Sequence, residues 1–407
     1  MTSSVGNPRR SVVTDRWFLL VCLATFGFWV SVFSHLPLVP LYLQHIGTGV
    51  TTIGLVFGIG ALGALFGRIA FGWAVDRYGE RWFFLVGAGL WLVTALWTPA
   101  TREPSWVAAS WVIKGVGLGV FTTAAASWIG RYAPADQRGL AMGWWGATNP
   151  IAAVTAPTVF VFFQQRWGFT TAFALTMVSA AIACLAAFAP DTVAAGAAAQ
   201  LPVRRIELFV EPSALEPGAV GFLVAIATNA FAVFVPVLAA AAGKVNPGLY
   251  LSVYAAASIL ARFVAGPASD RWGRPAAIGP SLTTAAVGIS LLVASDNTAV
   301  GLLAAGLFGL GLGGAMPALM AWTTDRALPR RRGVAAGTYF SMYEVGMFSG
   351  AAAMGPALDR FGLLAFLGVG VMLGAVTAVY LARHWSRRPA GRPADGVPTA
   401  LVAEEGG

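Results

Sequence analysis

Charge is what this chain most lacks. Only 11% of its 407 residues are charged and 57% are hydrophobic, with a mean hydropathy of +0.72. So few polar side chains cannot coat a water-soluble globule of this length, and lipid must cover most of the surface. Lysine is nearly missing: Lys114 and Lys244 are the only two, and neither closes a Gly-x-x-x-x-Gly-Lys-Ser/Thr loop, so the chain has no phosphate cradle for ATP. No His-Glu-x-x-His, Cys-x-x-Cys or Gly-x-Ser-x-Gly occurs, which leaves no enzyme signature, no metal-ligand set and no cofactor expected. Cys22 and Cys184 lie inside apolar runs, which excludes a disulfide framework. Uphill work by such a chain needs an ion gradient, most simply protons, or a separate protein.

What is present is a series of apolar runs of membrane-crossing length, separated by short turns bearing Arg, Gly and Pro. Twelve spans are expected, near 17–43, 52–75, 82–100, 105–130, 139–164 and 168–189, then near 217–242, 247–269, 276–294, 299–324, 333–357 and 362–384. Lipid offers no hydrogen-bond partners and the runs show no alternation with period two, so the spans are helices and not the strands of a barrel. Their Gly and Ala content, as in Gly58-Ile59-Gly60-Ala61-Leu62-Gly63-Ala64, suits close helix approach in lipid. The first apolar run is span-length and lacks a small-residue cleavage site, so it is expected to remain as an anchor.

The two sets of six are copies. Gly72-Trp73-Ala74-Val75-Asp76-Arg77-Tyr78-Gly79-Glu80-Arg81 returns 194 residues later as Gly266-Pro267-Ala268-Ser269-Asp270-Arg271-Trp272-Gly273-Arg274, Gly72 and Gly266 setting the offset. The same offset pairs Arg68 with Arg262, Gly115, Gly117 and Gly119 with Gly309, Gly311 and Gly313, and Trp128 with Trp322. Duplication of this kind in a membrane protein points to a transporter with its site between the halves. The expected fold is an all-α membrane protein of two pseudo-symmetric six-helix bundles, 17–190 and 217–384. These are flanked by a tail over 1–16, a linker over 191–216 and a disordered tail over 385–407.

Loop arginines such as Arg77, Arg81, Arg131, Arg138, Arg271, Arg274 and Arg326 fall in alternate loops, whereas the opposite loops hold only Arg102, Arg166, Lys244 and Arg360. By the positive-inside rule both termini and the linker are expected in the cytoplasm. The formal charge of +9 is then a matter of topology, spread over many short loops, and implies no nucleic-acid partner.

Ionisable groups at membrane depth are few. Glu344 stands about 11 residues into the eleventh span, roughly 16 Å deep at about 1.5 Å per residue, where a carboxyl can bind and release a proton as its surroundings change. Arg68 sits at a similar depth on the second span. Lys114, in the fourth span, needs a cavity, a partner or a structural bond to a carbonyl, and is a candidate contact for an anionic substrate. The repeated loop reads as a latch: Gly72 allows close packing, Asp76 ends the second helix and offers its carboxylate to free amides at the start of the eleventh, and Arg77 and Arg81 face the cytoplasm. In the second copy Pro275 replaces the closing arginine.

The repeated loop, the duplication and the glycine-rich fourth span resemble the major facilitator superfamily over nearly the whole chain. Leu36-Pro37-Leu38-Val39-Pro40-Leu41-Tyr42, Arg68 ahead of Gly72, and Tyr343-Glu344-x-Gly346 are similar to bacterial drug:proton antiporters and the arabinose-efflux-permease-like group. The resemblance implies a bacterial inner-membrane protein, expected to be a monomer, in which two bundles rock about a central cavity lined by spans 1, 4, 5, 7, 8, 10 and 11. Its gate residues carry over to Gly72, Asp76, Arg77, Gly79 and Arg81, and to Gly266, Asp270, Arg271 and Gly273. It implies that spans 2 and 11 meet, so that Arg68 and Glu344 form either a fixed pair or a proton switch, and that Arg262 bonds Asn149 where spans 8 and 5 meet. Trp29, Trp145, Tyr339 and Tyr343 stand at cavity depth, as substrate walls or as packing. Two departures stand out. The Arg-x-x-Gln-Gly of many relatives is here Trp111-Val112-Ile113-Lys114-Gly115, and the antiporter signature of the fifth span has become Gly143-x8-Ala152-x3-Ala156-Pro157. Three functions follow as expectations: proton-coupled efflux of a small, largely apolar compound, proton-coupled uptake of a small anionic metabolite, or a non-transporting sensor with the same fold.

Overall fold

The computed structural model describes residues 11–134, 136–192, 210–244, 246–294, 297–328 and 331–385. Eleven α-helices occur among them, and no strand. In the first half these are α1 (Arg16–His45), α2 (Val50–Tyr78), α3 (Arg81–Trp97), α4 (Pro104–Tyr132) and α5 (Arg138–Cys184). The second half holds α6 (Leu215–Ala241), α7 (Gly248–Trp272), α8 (Arg274–Leu291), α9 (Thr298–Arg326), α10 (Arg332–Phe361) and α11 (Ala365–Trp385). The fifth and sixth expected spans are the two arms of α5, which break at Gly168 with φ 83° and ψ 173°, a backbone that only glycine adopts without strain. Among the described residues, nine stretches are long and apolar enough to cross a membrane. Two of these, of 51 and 50 residues, contain two arms or two helices each, and α8 falls outside the nine.

Local chemistry explains the helix ends. Asp15 caps α1, its carboxylate accepting from the amides of Trp17 and Phe18. Pro104 opens α4, and Asn297 caps α9. Asp76 does not end the second helix as expected: α2 continues to Tyr78, and Gly79 terminates it with φ 87°. Gly273 does the same for α7 with φ 85°. The repeat therefore preserves a left-handed helix stop.

Packing follows the duplication. In the first half α1 lies along α5 and α2 along α4; in the second, α6 lies along α10 and α7 along α9. The repeated glycines make these crossings close. A Cβ on Gly115 would fall against the carbonyl oxygen of Gly60, and one on Gly309 against that of Tyr254. Gly119 against Ala64 and Gly313 against Ser258 repeat the arrangement one turn on. Large apolar side chains such as Phe263 and Val264 stay exposed at 74% and 73%, the arrangement of a surface that faces lipid or an open chamber. Between the halves, α2 meets α10 and α5 meets α7.

Residues 1–10 of the first tail, residues 386–407 of the second and most of the linker lie outside the described residues. The linker's first residues are held against the first half: Trp128 Nε1 donates to the Pro190 carbonyl at 2.8 Å, and the Arg81 amide donates to Asp191 at 2.9 Å.

Candidate functional site

Two long seams join the halves beside a shorter contact of α1 with α6, and both seams are tight at the end opposite the chain termini. Along α2 and α10, Gly54 abuts the Ala351 carbonyl, Gly58 abuts Phe348, and Gly355 abuts Thr51. Thr51 also donates to Asp359 at 2.6 Å. Along α5 and α7, Gly248 abuts the Pro157 carbonyl, Thr158 donates to Ser252 at 2.7 Å, and Asn246 donates to the Thr158 carbonyl at 3.1 Å.

Toward the arginine-rich end the same helices lose this contact. Among the described residues, no atom outside the helix itself lies within 4 Å of a Cβ placed on Gly143 or Gly146 of α5, Gly266 of α7 or Gly337 of α10. The halves therefore meet at one end and part toward the other.

At the inner limit of the α2–α10 seam sits the sequence-expected pair. Arg68 Nη1 donates to Glu344 Oε1 at 2.7 Å, with Glu344 13% exposed and Arg68 36%. A charge-assisted bond of this length, part screened from water, ties one half to the other at mid-depth. Tyr343, the next residue, stacks on Tyr339 with ring centroids 6.5 Å apart. Tyr339 itself is fully buried and turns into the second half, its hydroxyl 3.6 Å from Met316 Sδ.

The other sequence candidates scatter. Trp145 donates from Nε1 to Thr25 at 3.3 Å, closing α5 on α1, and Trp29 packs against Phe28 and Phe33 of its own helix. Among the described residues Arg262 makes no hydrogen bond to Asn149. Arg262 is exposed, so the symmetry that brings α5 beside α7 does not extend to a second cross-seam bond.

Lys114 lies away from both seams, inside the first half, at 1% exposure. Its ammonium donates to Thr98 Oγ1 at 3.0 Å and faces the rings of Trp111 and Trp91 at 5.3 and 5.8 Å. His35 completes the cluster, its ring 5.4 Å from Trp91 and its Nδ1 2.7 Å from the Ser31 carbonyl. Because a carbonyl only accepts, Nδ1 carries the proton, and in the neutral ring Nε2 is a lone-pair acceptor. It has no partner among the described residues, nor has Trp91 Nε1.

At the latch, the side chains of Gly72, Asp76 and Arg77 lie outside the described residues. Gly79 is held against Asp191, whose carboxylate a Cβ would meet at 2.9 Å, and Arg271 lies over the Trp272 ring at 5.5 Å. In the second copy Arg274 donates to Asp270 and Asp325, each at 2.8 Å. The first copy has the matching contact with its signs exchanged: Arg131 donates to Glu80 at 2.9 Å, and Thr192 donates to the same carboxylate at 2.7 Å. Glu80 maps to Arg274 and Arg131 to Asp325 at the offset of the repeat. Sequence reasoning passed over this pair because it matched identical residues and not opposite charges.

Matches to known proteins agree with this architecture. The model of the Major Facilitator Superfamily matches residues 18–215 and again 217–403. The chain belongs to that superfamily. It is accordingly a multi-pass membrane protein of a transporter superfamily. Among curated relatives, an uncharacterised MFS-type transporter of Mycobacterium tuberculosis is 29% identical over 118 residues, covering 29% of this chain and 20% of that one. The high-affinity nitrate transporter 2.3 of Oryza sativa is 32% identical over 146 residues, covering 34% of this chain and 26% of that one. The chain thus spans about a fifth to a quarter of the length of these relatives.

Solved structures share the fold over most of both chains. The nucleoside transporter NupG gives a TM-score of 0.72 at 14% identity, over 91% of this chain and 99% of that one. A bacterial homologue of the human lysosomal transporter Spinster, in an inward-facing and unoccupied conformation, gives 0.72 at 14% identity, over 90% and 96%.

Proposed function

We propose that this facilitator is a proton-linked secondary transporter working by alternating access, and that it exports a small, largely apolar compound from a bacterial cell. The observation that carries the reading is the Arg68–Glu344 bond across the α2–α10 seam. Neutralising Glu344 by a proton removes the charge that holds Arg68, which loosens the seam at the depth where the halves part. Release of that proton restores the bond. A proton gradient thereby biases the equilibrium between the two openings, as any ligand with different affinities for two states must. With the arginine-rich end in the cytoplasm, the conformation described is open inward and sealed outward. The aromatic residues Trp29, Trp145 and Tyr343 supply apolar surface at the same depth. The working unit is taken to be the monomer, driven by the gradient with no bound cofactor.

Proteoliposomes loaded with a panel of apolar dyes, with an imposed pH gradient and an internal pH indicator, test this directly. The wild-type chain should move dye and protons together, and Glu344→Gln should abolish both. Gradient-driven dye export that persists in Glu344→Gln would overturn the proposal. Uptake of an anionic metabolite is the second reading. It draws on the nitrate transporters among the relatives, and accumulation of nitrate in the same vesicles would favour it.

A further inference from the structure

At the sealed end, two adjoining vestibules of about 320 and 700 Å³ share a wall of His45, Gln164 and Phe169. The smaller lies between the halves, with Gln44 of α1 and Gln165 of α5 on one side and Ala241 and Lys244, from the end of α6 and the turn after it, on the other. The larger opens within the first half, beside Gly168, Tyr42 and Arg102. Tyr42 fixes the α3–α4 loop by donating to the Thr101 carbonyl at 2.7 Å, which presents Arg102 next door to the cavity.

The lining has a single sign. It carries Arg102, Lys244 and His45, with three glutamine amides, and neither vestibule is lined by an Asp or Glu among the described residues. Basic residues are scarce at this end of the molecule. Only Arg102, Arg166, Lys244 and Arg360 occupy its loops, and two of the four line these vestibules, Arg102 the larger and Lys244 the smaller. Topology disfavours cations on this side, so a cation on each of two vestibules that share a wall calls for an anion. A guanidinium presents a planar fork matched to two oxygens of a carboxylate, and glutamine amides add neutral donors. Phe169 and Tyr42 offer apolar faces to the remainder of the ligand.

We infer that the paired vestibules bind a small carboxylate anion, with Arg102 and Lys244 as the cationic walls. Occupation joins α1 and α5 of the first half to the α6–α7 turn of the second, and so favours the state in which this end is shut. The site is separate from the Arg68–Glu344 seam and goes beyond the proton-linked reading.

The test is thermal unfolding of the purified full chain with acetate or benzoate, at ionic strength held constant with chloride, and with tetraethylammonium chloride as the cationic control. At least one carboxylate should raise the midpoint by roughly 2–4 °C at tenfold excess over its Kd, while tetraethylammonium leaves it unmoved. In the Arg102→Gln, Lys244→Gln double variant the apparent Kd should weaken at least tenfold. Arg166→Gln, a basic residue at the same end but outside the vestibules, should retain the shift. The inference is overturned if neither carboxylate exceeds chloride, if the double variant responds as wild type does, or if Arg166→Gln loses the response equally. Should the double variant not be recovered folded, Arg102→Gln alone, at an exposed loop position, reads the same outcome.

Discussion

The two halves of this facilitator repeat the same helices and differ in where they place charge. On one seam, Arg68 of α2 meets Glu344 of α10. On the other, Arg262 of α7 occupies the equivalent position, but the residue equivalent to Glu344 on α5 is Pro150, and no bond crosses at that depth among the described residues. The halves are therefore pinned by an ion pair on one side and held by neutral hydrogen bonds and packing on the other. Among the described residues only the pinned seam sets a carboxylate between the bundles, which is where the proposed proton would act.

A second difference lies in the cores. Lys114 maps to Phe308, a fully buried residue whose ring packs at a tilt against Phe231 and Tyr254. The surroundings of Lys114 also become apolar in the second copy, with Trp91 mapping to Ala285, Thr98 to Leu292 and Trp111 to Ala305. One bundle has a polar knot where its twin has hydrocarbon. The third difference is the sign exchange between Glu80–Arg131 and Arg274–Asp325, which keeps the attraction and reverses its polarity. The first pair is the more deeply set: Glu80 is fully buried, whereas Asp325 is 52% exposed.

The comparison can be broken at its strongest point first. Glu344→Gln should lower proton-linked transport at least about tenfold, equivalent to roughly 1.4 kcal/mol, while Arg262→Ala should change it by less than about twofold. Equal losses in vesicle flux from the two substitutions would show that the seams are not functionally distinct.

Next in size is the buried copy of the exchanged pair. Arg131→Ala leaves the Glu80 carboxylate enclosed with only hydroxyl and amide donors. It should cost about 2 kcal/mol, below the 3–5 kcal/mol typical of fully buried pairs because Arg131 is partly solvated. The double exchange Glu80→Arg, Arg131→Glu should recover part of that loss in thermal unfolding. No recovery would mean that Thr192 and the linker, and not the attraction itself, dominate.

Making the first bundle resemble the second should have the opposite sign. Lys114→Met removes an ammonium that has no carboxylate partner among the described residues, and should stabilise the chain by about 1–2 kcal/mol. A lower midpoint for this variant would show that the lysine's bonds to Thr98 and the two rings outweigh its desolvation. The smallest effect belongs to the exposed copy: Asp325→Asn should cost under about 1 kcal/mol, and less at high salt. A loss as large as that of Arg131→Ala would remove burial as the explanation.

Much of this was legible in the residues. Apolar runs marked the helices, and the expected bounds of the first span, 17–43, fell close to the observed Arg16–His45. The depth estimate for Arg68 and Glu344 matched their meeting, because helix rise converts residue number directly into depth. Asp76 misled as a helix end, since a carboxylate near a turn is compatible with helix and the left-handed Gly79 is what halts it. Lys114 is expected inside the fourth span, and it lies within α4. Its direction could not be read, because facing α3 or facing the chamber depends on helix rotation.

Composition and the repeat by themselves determined that the chain is helical, lies in lipid and has two equivalent halves. Those properties follow from local facts: transfer of apolar side chains, internal backbone bonding and glycine at fixed spacing. Tertiary structure alone decided which end is sealed, which arginine finds a carboxylate and which basic residues share a cavity. Each of these depends on the rotation and tilt of one helix against another, set by packing across residues more than a hundred positions apart.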